Sequence, residues 1–199
     1  MKKWFLVLGV LFLFSSVASA QDETPKVEAF GGYQLVHGNY LNTGFTFNGG
    51  TGSLSYNPNN WLGIVSDFGG SHWNGSGDTA GLDATLFTYL FGPKIAYRTE
   101  KFTPFAQVLF GGAHLSGSLL ETCAPAARVH PQGCVLVSSG SEDAFAMTIG
   151  GGLDWNATKH FGVRLGQFEY AYTRFNGLGS SGGDSQNSLR FSAGVTARW

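Results

Sequence analysis

Polar and apolar residues alternate along most of this chain with a period of two. At the C-terminal end Leu189, Phe191, Ala193, Val195, Ala197 and Trp199 fall on one side. Ser188, Arg190, Ser192, Gly194, Thr196 and Arg198 fall on the other. The same rhythm sets Phe145, Met147, Ile149, Leu153 and Trp155 against Ala144, Thr148 and Asp154, and Phe87, Tyr89, Phe91, Ile95 and Tyr97 against Thr88, Lys94 and Arg98. Alternation is the mark of strands whose two faces meet different surroundings. Helical periodicity is almost absent after the first twenty residues. Eight runs alternate, at 26–36, 50–57, 61–72, 84–98, 103–115, 144–156, 161–174 and 188–199. Three connections are short, at 58–60, 99–102 and 157–160; the four at 37–49, 73–83, 116–143 and 175–187 are long and rich in Gly, Ser and Asn.

The short-long rhythm narrows the architecture. An even number of antiparallel strands, tight turns at one end and long loops at the other, is the pattern of a transmembrane barrel. Strands of about 9–11 residues cross the hydrocarbon layer when tilted. An open sheet is excluded there, because unpaired edge groups find no water to bond. The expected fold is all-β: an eight-stranded antiparallel up-and-down transmembrane β-barrel. Strand 7 breaks parity. Phe161, Val163 and Leu165 point one way, while Phe168, Tyr170 and Tyr172 occupy the other set. A β-bulge near Gly166-Gln167 resets the faces.

Alternation alone fits a soluble barrel with an apolar interior as well as a lipid-facing one. Composition decides between them. Charged residues make up 13% of the chain, against about 25% in a soluble domain. A water-facing barrel would need many long charged side chains. Those present within strands share a face with Gly, Ala, Ser and Thr, which suits a narrow lumen. Glycine supplies 30 of 199 residues, twice the usual share of about 7%. Aromatics collect at the strand ends. Trp61, Tyr97, Phe102, Trp155, Phe161 and Trp199 border the short turns, and Tyr33, Tyr40, Trp73, Phe87, Tyr172 and Phe175 border the long loops. These read as the two interfacial girdles of a membrane barrel.

The first twenty residues read as an address. Lys2 and Lys3 precede an apolar run from Trp4 to Phe14, and Ala18-Ser19-Ala20 fits the cleavage rule. Eleven apolar residues are too few to span about 30 Å as a helix. The expected organisation is a signal peptide over 1–20, a linker over 21–25 and a barrel over 26–199. Loss of Lys2 and Lys3 leaves ten basic and thirteen acidic residues, a formal charge of −3. That gives no basic footprint for nucleic acid. Export permits a disulfide. Cys123 and Cys134 are expected to pair and to close a lobe in the loop 116–143, a crosslink worth roughly 2–3 kcal/mol on the chain-entropy model.

Phe30-Gly31-Gly32-Tyr33, Phe68-Gly69-Gly70 and Phe110-Gly111-Gly112 recur about forty residues apart. With the leader, the eight strands and the aromatic C-terminus, they make the chain resemble the OmpA-like outer-membrane β-barrel superfamily in its small single-domain form. The resemblance implies residence in a Gram-negative outer membrane with both termini in the periplasm. It also implies that Trp199 belongs to the signal read by the barrel-assembly machinery.

Strand parity proposes the lumen charges. Asp67, Asp154 and Glu169 are acidic, and Glu28 joins them if strand 1, whose register is ambiguous, turns it inward; Lys94, Arg98, Arg164 and Arg190 are basic; Arg198 sits at the rim, where solvent can reach it. Buried charges are costly unless paired, so an ion-pair network filling the lumen is expected. No metal spacing, cofactor motif or phosphate loop stands out. His114 precedes Ser116 by two positions, which keeps a Ser–His hydrolase in view; strand parity leaves their face open, with the inward one a candidate. The leading expectation is a non-enzymatic, monomeric barrel with a structural and surface-presenting role, in contact with outer-membrane lipid and lipopolysaccharide. An adhesin or ligand-recognition protein acting through its long extracellular loops comes second, with the loop 116–143 a candidate for binding a surface ligand. A narrow solute pore and a lipid A-modifying enzyme follow.

Overall fold

A computed structural model describes residues 25–40, 43–75, 82–122, 135–175 and 184–199. It contains eight strands: β1 Val27–Tyr40, β2 Thr43–Tyr56, β3 Leu62–Asn74, β4 Leu82–Ala96, β5 Phe102–Thr122, β6 Val135–Asn156, β7 Phe161–Phe175 and β8 Asp184–Arg198. Each pairs antiparallel with the next, and β8 returns to β1 to close the barrel. The first pair of the chain and its last strand are stitched where Val27 N–H donates to the Trp199 carbonyl at 3.0 Å. Closure therefore leaves no sheet edge at membrane depth.

The register sets the tilt. A row of direct partners leaves β1 at Ala29 and runs through Leu54, Ser66, Phe91, Phe110, Met147 and Tyr172 to Asn187. It arrives beside the Gly38–Ser188 pair, ten residues above its start. Ten residues of rise set against eight inter-strand spacings gives a strand tilt of roughly 41°, within the range for barrels.

The short connections are tight turns. Thr99 N–H donates to the Phe102 carbonyl at 3.0 Å, and Thr158 N–H to the Phe161 carbonyl at 2.9 Å. The apolar face points outward. Leu54, Ile64, Phe68, Phe91, Phe110, Ile149, Tyr170, Leu189 and Val195 are all exposed. Trp61, Tyr97, Phe102, Trp155 and Phe161 are exposed around the turns. At the other end Tyr33 and Phe87 are exposed. Trp73 departs from the expected girdle: it takes the lumen parity of β3 and meets Phe47 with ring centroids 6.4 Å apart. The side chains of Tyr40 and Phe175 lie outside the described residues.

The bulge in β7 sits one residue before its expected position. Asp154 pairs with Arg164 and Leu153 with Gly166, so Leu165 is the extra residue. Across the β7–β8 pair the register likewise shifts between Arg164 and Gln167. The Phe-Gly-Gly recurrences are not equivalent positions. Phe30 is buried in the lumen, while Phe68 and Phe110 face outward.

The largest correction concerns the loops. The segment 116–143 is strand as far as Thr122 and again from Val135, with Thr122 opposite Val135. Likewise only positions 41 and 42 separate β1 from β2. Along these stretches Leu119, Leu120, Val135, Leu136 and Val137 stand among Gly, Ser and acidic residues without a period of two, so the alternation disappears. Pairing continues without it. Cys123 and Cys134 lie outside the described residues.

Candidate functional site

The lumen is built by the inward half of every strand. Glycine positions its tightest parts. Gly150 stands opposite Glu169, and a Cβ there would run into the Phe168 carbonyl oxygen and lie 2.8 Å from the Glu169 Cγ. The missing side chain lets β6 and β7 approach and leaves room for the carboxylate.

The seven charged residues assigned by parity lie inside, and so does Glu28, whose strand left its face open; the eight form three groups. At the end that carries the short turns Glu28 bridges two strands. Its Oε2 accepts from Lys94 Nζ at 2.5 Å and its Oε1 from Arg98 Nη2 at 2.9 Å. Lys94 also donates to Ser55 Oγ at 3.1 Å. In the second group Asp154 takes a fork from Arg164, with Nε–Oδ1 at 2.8 Å and Nη2–Oδ2 at 3.2 Å. The Arg164 guanidinium lies between two inward rings, 4.1 Å from the Phe30 centroid and 4.3 Å from that of Phe105. A desolvated cation between aromatic faces is worth about 2 kcal/mol or more per ring contact. In the third group Arg190 reaches both walls. Its Nη1 donates to Asp67 Oδ1 at 2.7 Å and its Nε to Glu169 Oε2 at 2.6 Å. Glu169 accepts further from Gln107 at 2.9 Å, and Asp67 from Thr51 at 3.5 Å. Asp67, Glu169 and Arg190 are at most 4% exposed.

Arg198 differs from the solvated rim residue expected of it. It is 6% exposed, and its Nη2 lies 3.3 Å from Thr196 Oγ1 and 3.8 Å from Asp154. Several members of the lumen had no charge to announce them. Gln34 donates to Ser71 at 2.7 Å across 37 positions, and Gln167 receives Arg164 Nη1 at 2.5 Å. Parity around Phe30-Gly31-Gly32-Tyr33 hid Gln34, because aromatics stand on both faces there. An apolar cluster shares the interior: Val65, Leu90, Leu109, Ala113, Ala144 and Ala146, with Leu86 and Leu115 against it. Leu90 and Leu109 are 1% and 0% exposed. A pocket of about 200 Å³ opens at the short-turn mouth, lined by Pro25, Glu28, Arg98, Thr103, Asn156 and Arg198 among others. Glu28 and Arg98 of the first ion-pair group are among its walls.

His114 and Ser116 share the outward face, not the inward one. His114 Nδ1 meets Asp143 Oδ1 at 2.8 Å. Ser116 Oγ lies 3.5 Å from the Thr85 carbonyl oxygen, and among the described residues no hydrogen bond joins it to the imidazole. Among the described residues no group of three His, Cys, Asp or Glu side chains is arranged to hold a metal ion.

Solved barrels share this architecture. Ail, the attachment invasion locus protein of Yersinia pestis, is 15% identical with a TM-score of 0.60, over 89% of this chain and 100% of that one. Neisserial surface protein A is 12% identical with a TM-score of 0.58, over 89% and 100%. OprG from Pseudomonas aeruginosa is 10% identical with a TM-score of 0.51, over 89% and 97%. No curated protein matches the chain. The family model for the outer membrane protein beta-barrel domain matches residues 5–197. An outward apolar band, a closed eight-stranded sheet and a charge-filled lumen therefore belong to a chain of known kind: it is a member of the outer membrane protein beta-barrel domain family.

Proposed function

We propose that this outer-membrane barrel is closed to solutes and acts without catalysis, as a rigid monomeric scaffold that holds its loops at the surface of a Gram-negative cell. The observation that carries this reading is the span of Arg190. One guanidinium joins Asp67 on β3 to Glu169 on β7, and Leu90, which stands opposite Asp67, is buried in an apolar cluster with Leu109. An eight-stranded lumen is just wide enough for its own side chains. In this reading a cleaved leader exports the chain, Trp199 presents it to the barrel-assembly machinery, and the finished barrel sits in lipid and lipopolysaccharide. Purified protein in planar bilayers is expected to give no stepwise conductance at ±100 mV. A steady open level that persists across preparations would sink the closed-lumen reading.

A second reading follows from the β5–β6 hairpin. These strands run 21 and 22 residues, where the others run 13 to 15. Past His114, the eight residues to Thr122 rise roughly 20 Å at the barrel's tilt. A Cys123–Cys134 crosslink would lock the tip. Ail, which shares the fold, is named an attachment invasion locus protein and has been crystallised with the heparin analogue sucrose octasulfate. The hairpin is the element here that would carry recognition. Excising 120–137 is expected to abolish adherence of expressing cells while leaving the barrel's heat-modifiable gel migration intact. Unchanged adherence would assign any binding elsewhere.

A further inference from the structure

Three histidines occupy one repeating position on the outer face. His37 on β1, His72 on β3 and His114 on β5 each stand directly opposite a partner on the following strand: Thr46, Thr85 and Asp143. In each pair Nδ1 makes the cross-strand contact, at 2.9, 2.9 and 2.8 Å. The three ring Nε2 atoms are left for whatever lies outside.

The register places them at one height. A perpendicular row of partners climbs about ten residues in eight strands, hence about 2.5 residues in two. His72 faces Asn48, two residues toward the periplasm from Thr46. Ser116 faces Thr85, and His114 lies two residues toward the periplasm from Ser116. Each step of two residues down the strand cancels the climb. The histidines thus form a level arc across half the circumference. The arc closes the apolar band from above. Trp61 at the periplasmic girdle and His72 are eleven residues apart, roughly 27 Å along the membrane normal at this tilt, against an apolar band of about 25 Å. The arc lies where the headgroups of the outer leaflet begin.

Other charges facing outward at this height are few. On β4 Asp83 follows two residues above Thr85; Asp143 on β6 is the partner of His114; Arg174 on β7 stands opposite Phe145. On β2 and β8 the neighbours are Thr46, Asn48 and Leu189, with the Tyr33 hydroxyl bound to Asn48 at 2.7 Å. Glu142 is on the lumen parity of β6. With neutral imidazoles the described groups leave one net negative charge. With all three protonated they leave two positive charges. Imidazole is the side chain whose charge changes between pH 5 and 8.

We propose that His37, His72 and His114 form a collar that binds the phosphate groups of the outer-leaflet lipid when protonated and releases them when neutral. Asn48, Thr85 and Ser116, which lie in one row across β2, β4 and β5, supply neutral hydrogen bonds beside the imidazoles. A basic residue near an anionic lipid surface gains roughly 1 kcal/mol, about fivefold in binding.

The test uses the full barrel in detergent micelles doped with lipid A carrying both phosphates. Lipid retained per barrel after detergent exchange is measured by mass spectrometry at pH 5.5 and pH 8.0. Wild-type protein is expected to retain at least fivefold more at pH 5.5. The triple variant H37N/H72N/H114N keeps a hydrogen-bonding group at each position, and is expected to lose the pH dependence. H72N alone keeps part of it, and H160N on the periplasmic turn keeps all of it. Folding is checked by heat-modifiable migration; if the triple variant fails to fold, the three single variants replace it. Equal pH dependence in wild type and in the histidine variants of the collar would overturn it. So would equal retention of lipid A stripped of its phosphates, which would mean capture by the apolar band alone.

Discussion

Replacing Arg190 with methionine is expected to destabilise the barrel by about 3–5 kcal/mol. That is the typical cost of removing one partner from a buried ion pair, because the charge left behind has no compensation. Here two carboxylates are left, Asp67 and Glu169, both nearly inaccessible. Among the described residues Glu169 keeps the Gln107 amide at 2.9 Å, and Asp67 keeps a Thr51 hydroxyl at 3.5 Å. The measurement is equilibrium urea unfolding of the protein in lipid vesicles, followed by tryptophan fluorescence. The triple replacement D67N/E169Q/R190M removes charge from all three positions together. It is expected to recover most of the loss, since a buried ionic group replaced as a whole is often close to neutral in stability. If R190M unfolds at the wild-type urea concentration, the cross-lumen pair does not hold the fold. If the triple variant is as unstable as R190M, packing rather than charge accounts for the loss.

Deleting Leu165 is expected to prevent assembly. The bulge at this residue lets Arg164 and Gln167 both face the lumen, although they are three positions apart. Without the extra residue the parity of Phe161–Arg164 inverts against the rest of β7. Arg164 would turn to lipid, at a cost of up to about 2–4 kcal/mol according to depth. Asp154 would lose its fork, at a further cost of about 3–5 kcal/mol. Together these approach the whole stability of an ordinary domain, about 5–15 kcal/mol. Unheated gel migration and protease protection report the folded fraction. L165A, which trims an outward side chain and keeps the bulge, is expected to fold. A deletion variant that migrates as folded protein would show that the bulge can relocate.

Much of this architecture was legible because lipid acts on residues one at a time. Each outward position must be apolar whatever its neighbours are, so the alternation in β4, the lower part of β6 and β8 survives as a local pattern. The parity of Asp67, Lys94, Asp154 and Arg190 followed from it. Where lipid is absent the constraint lapses. The upper parts of β5 and β6 carry apolar and polar residues without a period of two, and their strands left no mark. At Phe30-Gly31-Gly32-Tyr33 aromatic rings stand on both faces, one stacked on Arg164 and one toward lipid, so local parity could not be read.

The strand number, the lipid-facing side, the girdle at the short turns and the presence of a bulge in strand 7 were thus determined by the sequence alone, through the period of two and its single break. Which acid meets which base was not. Arg190 and Asp67 are 123 positions apart, and they meet only because β8 closes on β1 with a ten-residue climb. The same climb levels His37, His72 and His114, three residues with no common motif in the chain. Pairing across a lumen and height above a membrane are properties of closure and register. Those are set by the whole sheet at once, and no local stretch of sequence carries them.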